Sequence, residues 1–338
     1  MYRSQFLMVC LGMILILTLI SGCDPLTLSV TLSSEAPQES NLPVEIIEIP
    51  SDPEAEDHDS VPDNDVVFIT DDYPLHPLTF DYRPGWADEL EAILNERLEQ
   101  ERLSHPAEEV PRMTLLYYEP EMGRGYAYGD IEGAYGAGST IKVPMAIGIG
   151  DLIEAGELTL DSIVYYIPEL DSDPYGVNFI TYDERINGLT IHSLLYYMIA
   201  YSCNASMNIV DRITDFAGHH PYMARLGYPM EIPDNNRVTA RQFFMVLYDL
   251  YLHRDKPFYD LLLNMMNDSR NTYGLARYLP DNLFAARKSG NIVHYNHETG
   301  IFFAPEPYIL LVYTAWFEYS TDLMADVSLL IYEHNGKE

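Results

Sequence analysis

The sequence predicts an α+β domain, on three observations: strand-like segments lie near both ends of the folded part, the stretch between them has helical patterning, and an amphipathic helix stands at each terminus. Such an order requires a sheet assembled from distant segments, covered by the terminal helices, with a helical lobe inserted. The opening helix follows Pro84-Gly85: over Trp86 to Leu103, residues Trp86, Leu90, Ile93, Leu94 and Leu98 recur at helical spacing, with Glu and Arg on the other face. Met113 to Tyr118 and Gly125 to Tyr128 pattern as paired strands around a turn at Glu121-Met122-Gly123, being rich in Tyr and other strand-favouring residues. Further strands are predicted at Phe284 to Ser289, Gly300 to Ala304 and Tyr308 to Ala315, with Asn296 to Phe303 carrying the turn into the next strand. Thr321 to Glu333 reads as a closing helix ended by Asn335-Gly336. Residues 139 to 265 are mostly helical in pattern, and there is no internal repeat.

A chain of 338 residues with 47% hydrophobic content is long enough for one sizeable domain, or two tightly joined lobes, plus extensions. Arg3 precedes an apolar run from Phe6 to Ile20, shorter than the roughly 20 residues a membrane-spanning helix needs. That is the shape of a signal peptide, expected over residues 1–22. It ends in Ile20-Ser21-Gly22-Cys23, which resembles a bacterial lipobox; the resemblance implies lipidation of Cys23, an ordinary signal peptide or a short anchor being the alternative. Cys10 would leave with the signal and Cys23 would carry lipid, so Cys203 would remain without a disulfide partner.

Residues 24 to 72 carry fourteen Asp and Glu and six prolines, and no Lys or Arg occurs between Arg3 and Arg83. Such a segment repels itself and buries little, which predicts a flexible acidic tether over residues 23–80 and a folded domain over 81–338. The formal charge of −33 argues against nucleic-acid partners, since binding phosphates takes clustered Lys and Arg.

Lysine occurs only four times, as Lys142, Lys256, Lys288 and Lys337, and only Lys142 has a serine three residues earlier. Chance placement would give about 0.2 such matches. In Gly136-Ala137-Gly138-Ser139-Thr140-Ile141-Lys142, Ser139 follows a glycine turn and is predicted to start a helix running to Ile153, which puts Ser139 and Lys142 on one helical face. A serine hydroxyl needs a base within reach to attack a carbonyl, and a neutral Lys142 amine could serve, its pKa lowered by burial and by a second cation such as Lys288. The bland alternative for Ser139 is a helix N-cap.

Two more elements follow. Leu189 to Leu195 begins a helix leading to Tyr201-Ser202-Cys203-Asn204, with Ser206-Met207-Asn208 beyond it, and Arg287-Lys288-Ser289-Gly290 ends a strand. The three together resemble the Ser-x-x-Lys, Ser-Asp-Asn and Lys-Thr-Gly motifs of class A β-lactamases and penicillin-binding proteins. The likeness covers about residues 86 to 335 and includes Ala155 to Asp161, Val238 to Phe244 and Leu275 to Pro280. It implies an antiparallel sheet of about five strands flanked by terminal helices. It also implies roles: Ser139 as nucleophile, Lys142 as base, Ser202 relaying a proton toward the leaving nitrogen, and Asn204 holding the substrate amide. Lys288 and Ser289 would grip a substrate carboxylate, the N–H groups of Ser139 and Asn291 would form an oxyanion hole, and Gly290 would let substrate lie close along the strand.

The sequence departs from the family in two places. The central Asp of the second motif is replaced by Cys203, for which packing and a thiol nucleophile are the alternatives. The Glu-x-x-Leu-Asn loop that supplies the deacylating base is truncated, Glu231-Ile232-Pro233-Asp234-Asn235 being the comparable string, so Glu231 is either that base or a solvated loop acid. The expectation is a β-lactamase-like serine hydrolase of uncertain turnover, without cofactor or metal, monomeric, and lipid-anchored to the outer face of a bacterial cytoplasmic membrane. The alternatives are a peptidase acting on peptidoglycan stem peptides that end in D-Ala, and a non-catalytic lipoprotein binding cell-wall fragments. His294 and His297 could hint at metal, but no Cys or acid cluster flanks them, and surface histidines are the expectation.

Overall fold

The computed structural model describes residues 79–337 apart from 107–108, 174–177, 215–221, 223–225, 227–235 and 319. Every described residue lies in one compact unit, Asp65–Glu338. The expected signal peptide, the lipidation site Cys23 and the candidate base Glu231 therefore lie outside the described residues, as does the tether up to residue 78. At the end of the expected tether, Phe80 already packs edge-on against Tyr118 and Phe244.

In chain order the elements are α1 (Ala87–Ser104), β1 (Arg112–Glu119), β2 (Arg124–Tyr128), β3 (Tyr135–Gly136), a 3₁₀ turn (Gly138–Ile141) and α2 (Lys142–Glu154). There follow β4 (Ile163–Val164), α3 (Pro168–Asp171), α4 (Tyr182–Asn187), β5 (Leu189–Thr190), α5 (Ile191–Ala200) and α6 (Asn204–Ile213). Beyond them come β6 (Arg237–Val238), α7 (Ala240–Leu252), α8 (Pro257–Asn267), β7 (Ala285–Ile292), β8 (Tyr295–Phe302), β9 (Tyr308–Ala315) and α9 (Ser320–His334).

Five strands form one antiparallel sheet in the order β2-β1-β9-β8-β7. The strands nearest the centre are apolar along both faces because both faces are covered. In β1, Met113, Leu115 and Tyr117 face a core shared with Trp86, Leu90 and Leu94 of the opening helix region and with Leu323, Met324, Val327 and Ile331 of α9. The intervening Leu116 and Tyr118 face the helical lobe. Strand β9 alternates in the same way, Leu310 and Val312 to the terminal helices, Ile309, Leu311 and Tyr313 to the lobe. The lobe is organised around α2, whose first nine residues are all buried. Helix α7 starts on a capping box between Thr239 and Gln242, and α5 on Thr190 accepting from Ser193 N–H.

The α+β class, the sheet from distant segments and the terminal helices are as the sequence predicts. Two local expectations are corrected. The helix expected to start at Ser139 opens as a 3₁₀ turn and becomes α-helical only at Lys142. The turn expected within Asn296 to Phe303 lies earlier, at Val293-His294, and β8 begins at Tyr295 rather than Gly300. His294 supplies the bend with φ 67° and is held by Trp316, which donates its N–H to the His294 carbonyl at 2.7 Å and stacks on its ring. The polar run Asn296 to Thr299 is strand because each side chain has a partner within the fold: Ser320 for Asn296, the Gly136 carbonyl for His297, Arg287 for Glu298 and the Lys288 carbonyl for Thr299.

The Arg287–Glu298 pair, 2.7 Å apart and almost fully buried, also takes in the Leu275 N–H, which donates to Glu298 at 2.6 Å, and the Asn271 carbonyl. Burial pushes the Glu298 carboxyl up, against the pull of Arg287. Glu298→Ala should lower the unfolding free energy by about 3–5 kcal/mol in urea titration, because a buried guanidinium is left uncompensated, whereas replacing both partners by Met and Leu should cost less.

Candidate active site

Strand β7 is an edge of the sheet, and the 3₁₀ turn carrying Ser139 packs against it. The approach is so close that neither side tolerates a side chain. A Cβ on Gly138, which has φ +55°, would lie 2.9 Å from Asn291 N, and one on Gly290 would lie 2.4 Å from the Ala137 carbonyl. The turn is pinned from below by His297, whose ring accepts from Thr314 N–H at Nδ1 and therefore donates from Nε2 to the Gly136 carbonyl at 2.7 Å. Ala137 N–H donates to the Asn236 carbonyl at 2.5 Å, and Thr140 Oγ1 donates to the Ala137 carbonyl at 2.8 Å.

Lys142 Nζ, on the first turn of α2, lies 3.0 Å from Ser139 Oγ. It also lies 2.8 Å from the Ser202 carbonyl and 2.6 Å from Asn204 Oδ1, with Ser202 Oγ at 3.4 Å. From the opposite side Lys288 Nζ donates to Ser202 Oγ at 2.8 Å and to the Ser289 carbonyl at 3.2 Å. Ser202 sits in the link between α5 and α6 with φ 57°, a conformation a serine adopts only when its surroundings hold it, and this aims its hydroxyl between the two lysines. Five predicted residues, Ser139, Lys142, Ser202, Asn204 and Lys288, thus form one hydrogen-bonded cluster. Ser289 and Asn291 lie beside it on the open part of β7, Ser289 half-buried and Asn291 exposed.

Both amines are buried, and both are pushed down. Desolvation brings Lys142 to about 8, opposed by the nearby Cys203 and Asp173. Lys288 is lowered well below the usual lysine value, first by burial and then by the charge of Lys142, with Glu298 opposing. The electrostatic push expected from Lys288 onto Lys142 is therefore felt most by Lys288, and burial does the work at Lys142. Cys203 is fully buried in the helical-lobe core at the N-cap of α6, where it donates its backbone N–H to the Tyr197 carbonyl.

Sequence reasoning missed two contributors. His297, expected at the surface in a run that reads as a turn, is fully buried. Asp173 accepts from Asn204 Nδ2 at 2.6 Å across 31 residues of sequence, a distance no local pattern reports. Among the described residues no group of three or more His, Cys, Asp and Glu is placed to hold a metal ion, and His294 and His297 are engaged with Trp316 and the Gly136 carbonyl. A cavity of about 450 Å³ between α2 and α8, lined by Ile147, Leu160 and Phe258 among others, takes in none of these site residues.

A family model, that of the Beta-lactamase enzyme family, matches residues 112–335. The chain belongs to the β-lactamase enzyme family. No curated protein matches it. Among solved structures, a β-lactamase from Chitinophaga pinensis is similar at 17% identity and TM-score 0.63, covering 72% of this chain and 98% of that one. PBP-A is similar at 18% identity and TM-score 0.60, covering 72% and 97%. A point variant of the last common ancestor of Gram-negative class A β-lactamases matches at 18% identity and TM-score 0.63, covering 72% and 98%. At such identities these likenesses show the fold, and the fold is the β-lactamase one.

The buried His297 makes stability sensitive to acid. Burial lowers it from 6.5 to about 3, so below 6.5 the unfolded chain takes up a proton that the folded chain refuses, and stability falls as pH falls through that window. Between neutrality and pH 5 this group should cost about 2 kcal/mol, at about 1.4 kcal/mol per pH unit. His297→Gln, compared with the parent by urea unfolding at both pH values, should remove that part of the acid sensitivity.

Proposed function

We propose that this member of the β-lactamase family is an extracytoplasmic serine hydrolase, acylated at Ser139 by β-lactams or a related amide and held to the membrane through Cys23. The observation that carries the reading is the environment of Lys142 Nζ: two carbonyl oxygens, of Ser202 and of Asn204, at 2.8 and 2.6 Å, and the Ser139 hydroxyl at 3.0 Å. A neutral amine has two N–H groups and one lone pair. The two carbonyls take the N–H groups, which leaves the lone pair for the Ser139 O–H.

In this mechanism Lys142 takes the Ser139 proton as Oγ attacks the substrate carbonyl. The N–H groups of Ser139 and Asn291, brought together by the glycine approach, receive the developing oxyanion. Ser202, which accepts from Lys288 at 2.8 Å and lies 3.4 Å from Lys142 Nζ, gives its proton to the leaving nitrogen and takes up the one that Lys142 removed from Ser139. Lys288 and Ser289 meet the substrate carboxylate, and Gly290 leaves room for substrate along β7. Hydrolysis of the acyl-enzyme then depends on a base for the incoming water, and Glu231 remains the sequence candidate. The alternative is a peptidase on peptidoglycan stem peptides, where a terminal D-Ala carboxylate meets Lys288 and Ser289. It is favoured by the truncated Glu-containing loop, and it accords with PBP-A, a point variant of which is described as an acyl-enzyme complex with penicillin G.

Intact-protein mass spectrometry after benzylpenicillin should show one adduct, absent in Ser139→Ala. A lasting adduct with little nitrocefin turnover would place the protein with the penicillin-binding peptidases, and fast Ser139-dependent turnover with the β-lactamases. Absence of both signals would remove β-lactam chemistry from the reading.

The acylation rate should rise with pH through about 8, the value to which burial brings Lys142. At pH 7 only about a tenth of such an amine is neutral, and the apparent midpoint belongs to the Lys142–Lys288 pair. Lys142→Arg, which cannot deprotonate, should lose acylation by on the order of 100- to 10,000-fold in stopped-flow measurement.

A further inference from the structure

Asn204 is held from both sides. Its Oδ1 faces Lys142 Nζ at 2.6 Å, and its Nδ2 donates to Asp173 Oδ2 at 2.6 Å. The amide orientation is therefore fixed twice over, by a partner that needs an acceptor and by one that needs a donor. Asp173 is brought there by α6, whose residues Asn204, Asn208 and Arg212 stand four apart on one face. Arg212 pairs with the fully buried Asp171 at 3.0 Å and donates to the Tyr165 carbonyl at 2.8 Å. Asn208 donates to the Asp171 carbonyl at 3.3 Å, and Asn204 takes Asp173. Three rungs thus fasten residues 171–173 to the helix that carries the site, and they leave the Asp173 carboxylate half-buried at its edge.

We infer that Asp173 is a specificity-determining residue, selecting acyl donors that carry an ammonium group on the carbon next to the amide carbonyl held by Asn204. This rests on the reading that substrate acylates Ser139 with its amide on Asn204. Nδ2 has two protons, one given to Asp173 and one left for the substrate carbonyl. A substituent on the adjoining carbon is three bonds from that carbonyl oxygen, which brings an ammonium within a few ångströms of the carboxylate, while a neutral substituent there gains nothing. Lys142 attracts the Asp173 carboxylate but stands on the other side of the Asn204 amide, facing Oδ1 while Asp173 faces Nδ2. Asp173 acts here on ground-state and transition-state binding alike and takes no part in proton transfer.

Ampicillin and benzylpenicillin differ by one amino group at that carbon, so the pair isolates the effect. With the full-length chain at neutral pH and low salt, the second-order acylation constant for ampicillin should exceed that for benzylpenicillin by about fivefold, the scale of a partly exposed ion pair. The preference should shrink at high salt. Asp173→Asn, which keeps an acceptor for Asn204 Nδ2, should bring the ratio of the two constants to about one, and Asp173→Glu should retain part of it. Equal constants for the two penicillins in the parent, or a ratio that survives in Asp173→Asn, would overturn the assignment while leaving acylation at Ser139 intact. Failure of both penicillins to modify Ser139 would instead overturn the acylation reading on which the assignment stands.

Discussion

Two lysine amines are buried within reach of one serine hydroxyl, and the arrangement of the site follows from how they are accommodated. A full positive charge in such a place is costly unless oxygen atoms surround it, and two charges repel besides. The structure answers with carbonyls for Lys142, a hydroxyl and a carbonyl for Lys288, and a shift of both groups toward the neutral form. In a chain of net charge −33 with only four lysines, two of them are spent here, which is why the acidic surface does not contradict a locally basic site.

The backbone around these amines is held with little tolerance. Gly138 and Gly290 let the turn that carries Ser139 touch β7, His297 fastens that turn from the sheet beneath, and Ser202 is kept in the left-handed region between α5 and α6. In the proposed mechanism only Ser202, of these devices, touches a reacting atom through its own side chain. Their common effect is to fix where Ser139 and Asn291 present their N–H groups, and prearranged donors of that kind are worth more than donors that must be gathered at the moment of reaction.

Much of this was legible in the sequence. The motif residues could be found because each lies in a short contiguous string whose spacing reflects one turn of helix or one strand, and the alternating sheet faces are written in β1 and β9. What stayed hidden depends on contacts between distant segments. Asn296 to Thr299 reads as a turn because its polar side chains look solvated, and only the fold reveals that Ser320, Arg287 and two backbone carbonyls take them up. Asp173 carries no local signature at all, since its meaning comes from Asn204 on a helix that begins 31 residues later. The 3₁₀ start of the helix that carries Lys142 likewise follows from the contact with β7 rather than from the propensities of Ser139 to Ile141.

The polar stripe on α6 has one more consequence. Because Asn204, Asn208 and Arg212 bind one short segment through three successive turns, that segment and the helix open together or not at all. The loop bordering the site is then no independent flap. Residues 171–173 should then show the hydrogen-exchange protection of α6 itself rather than that of a free loop.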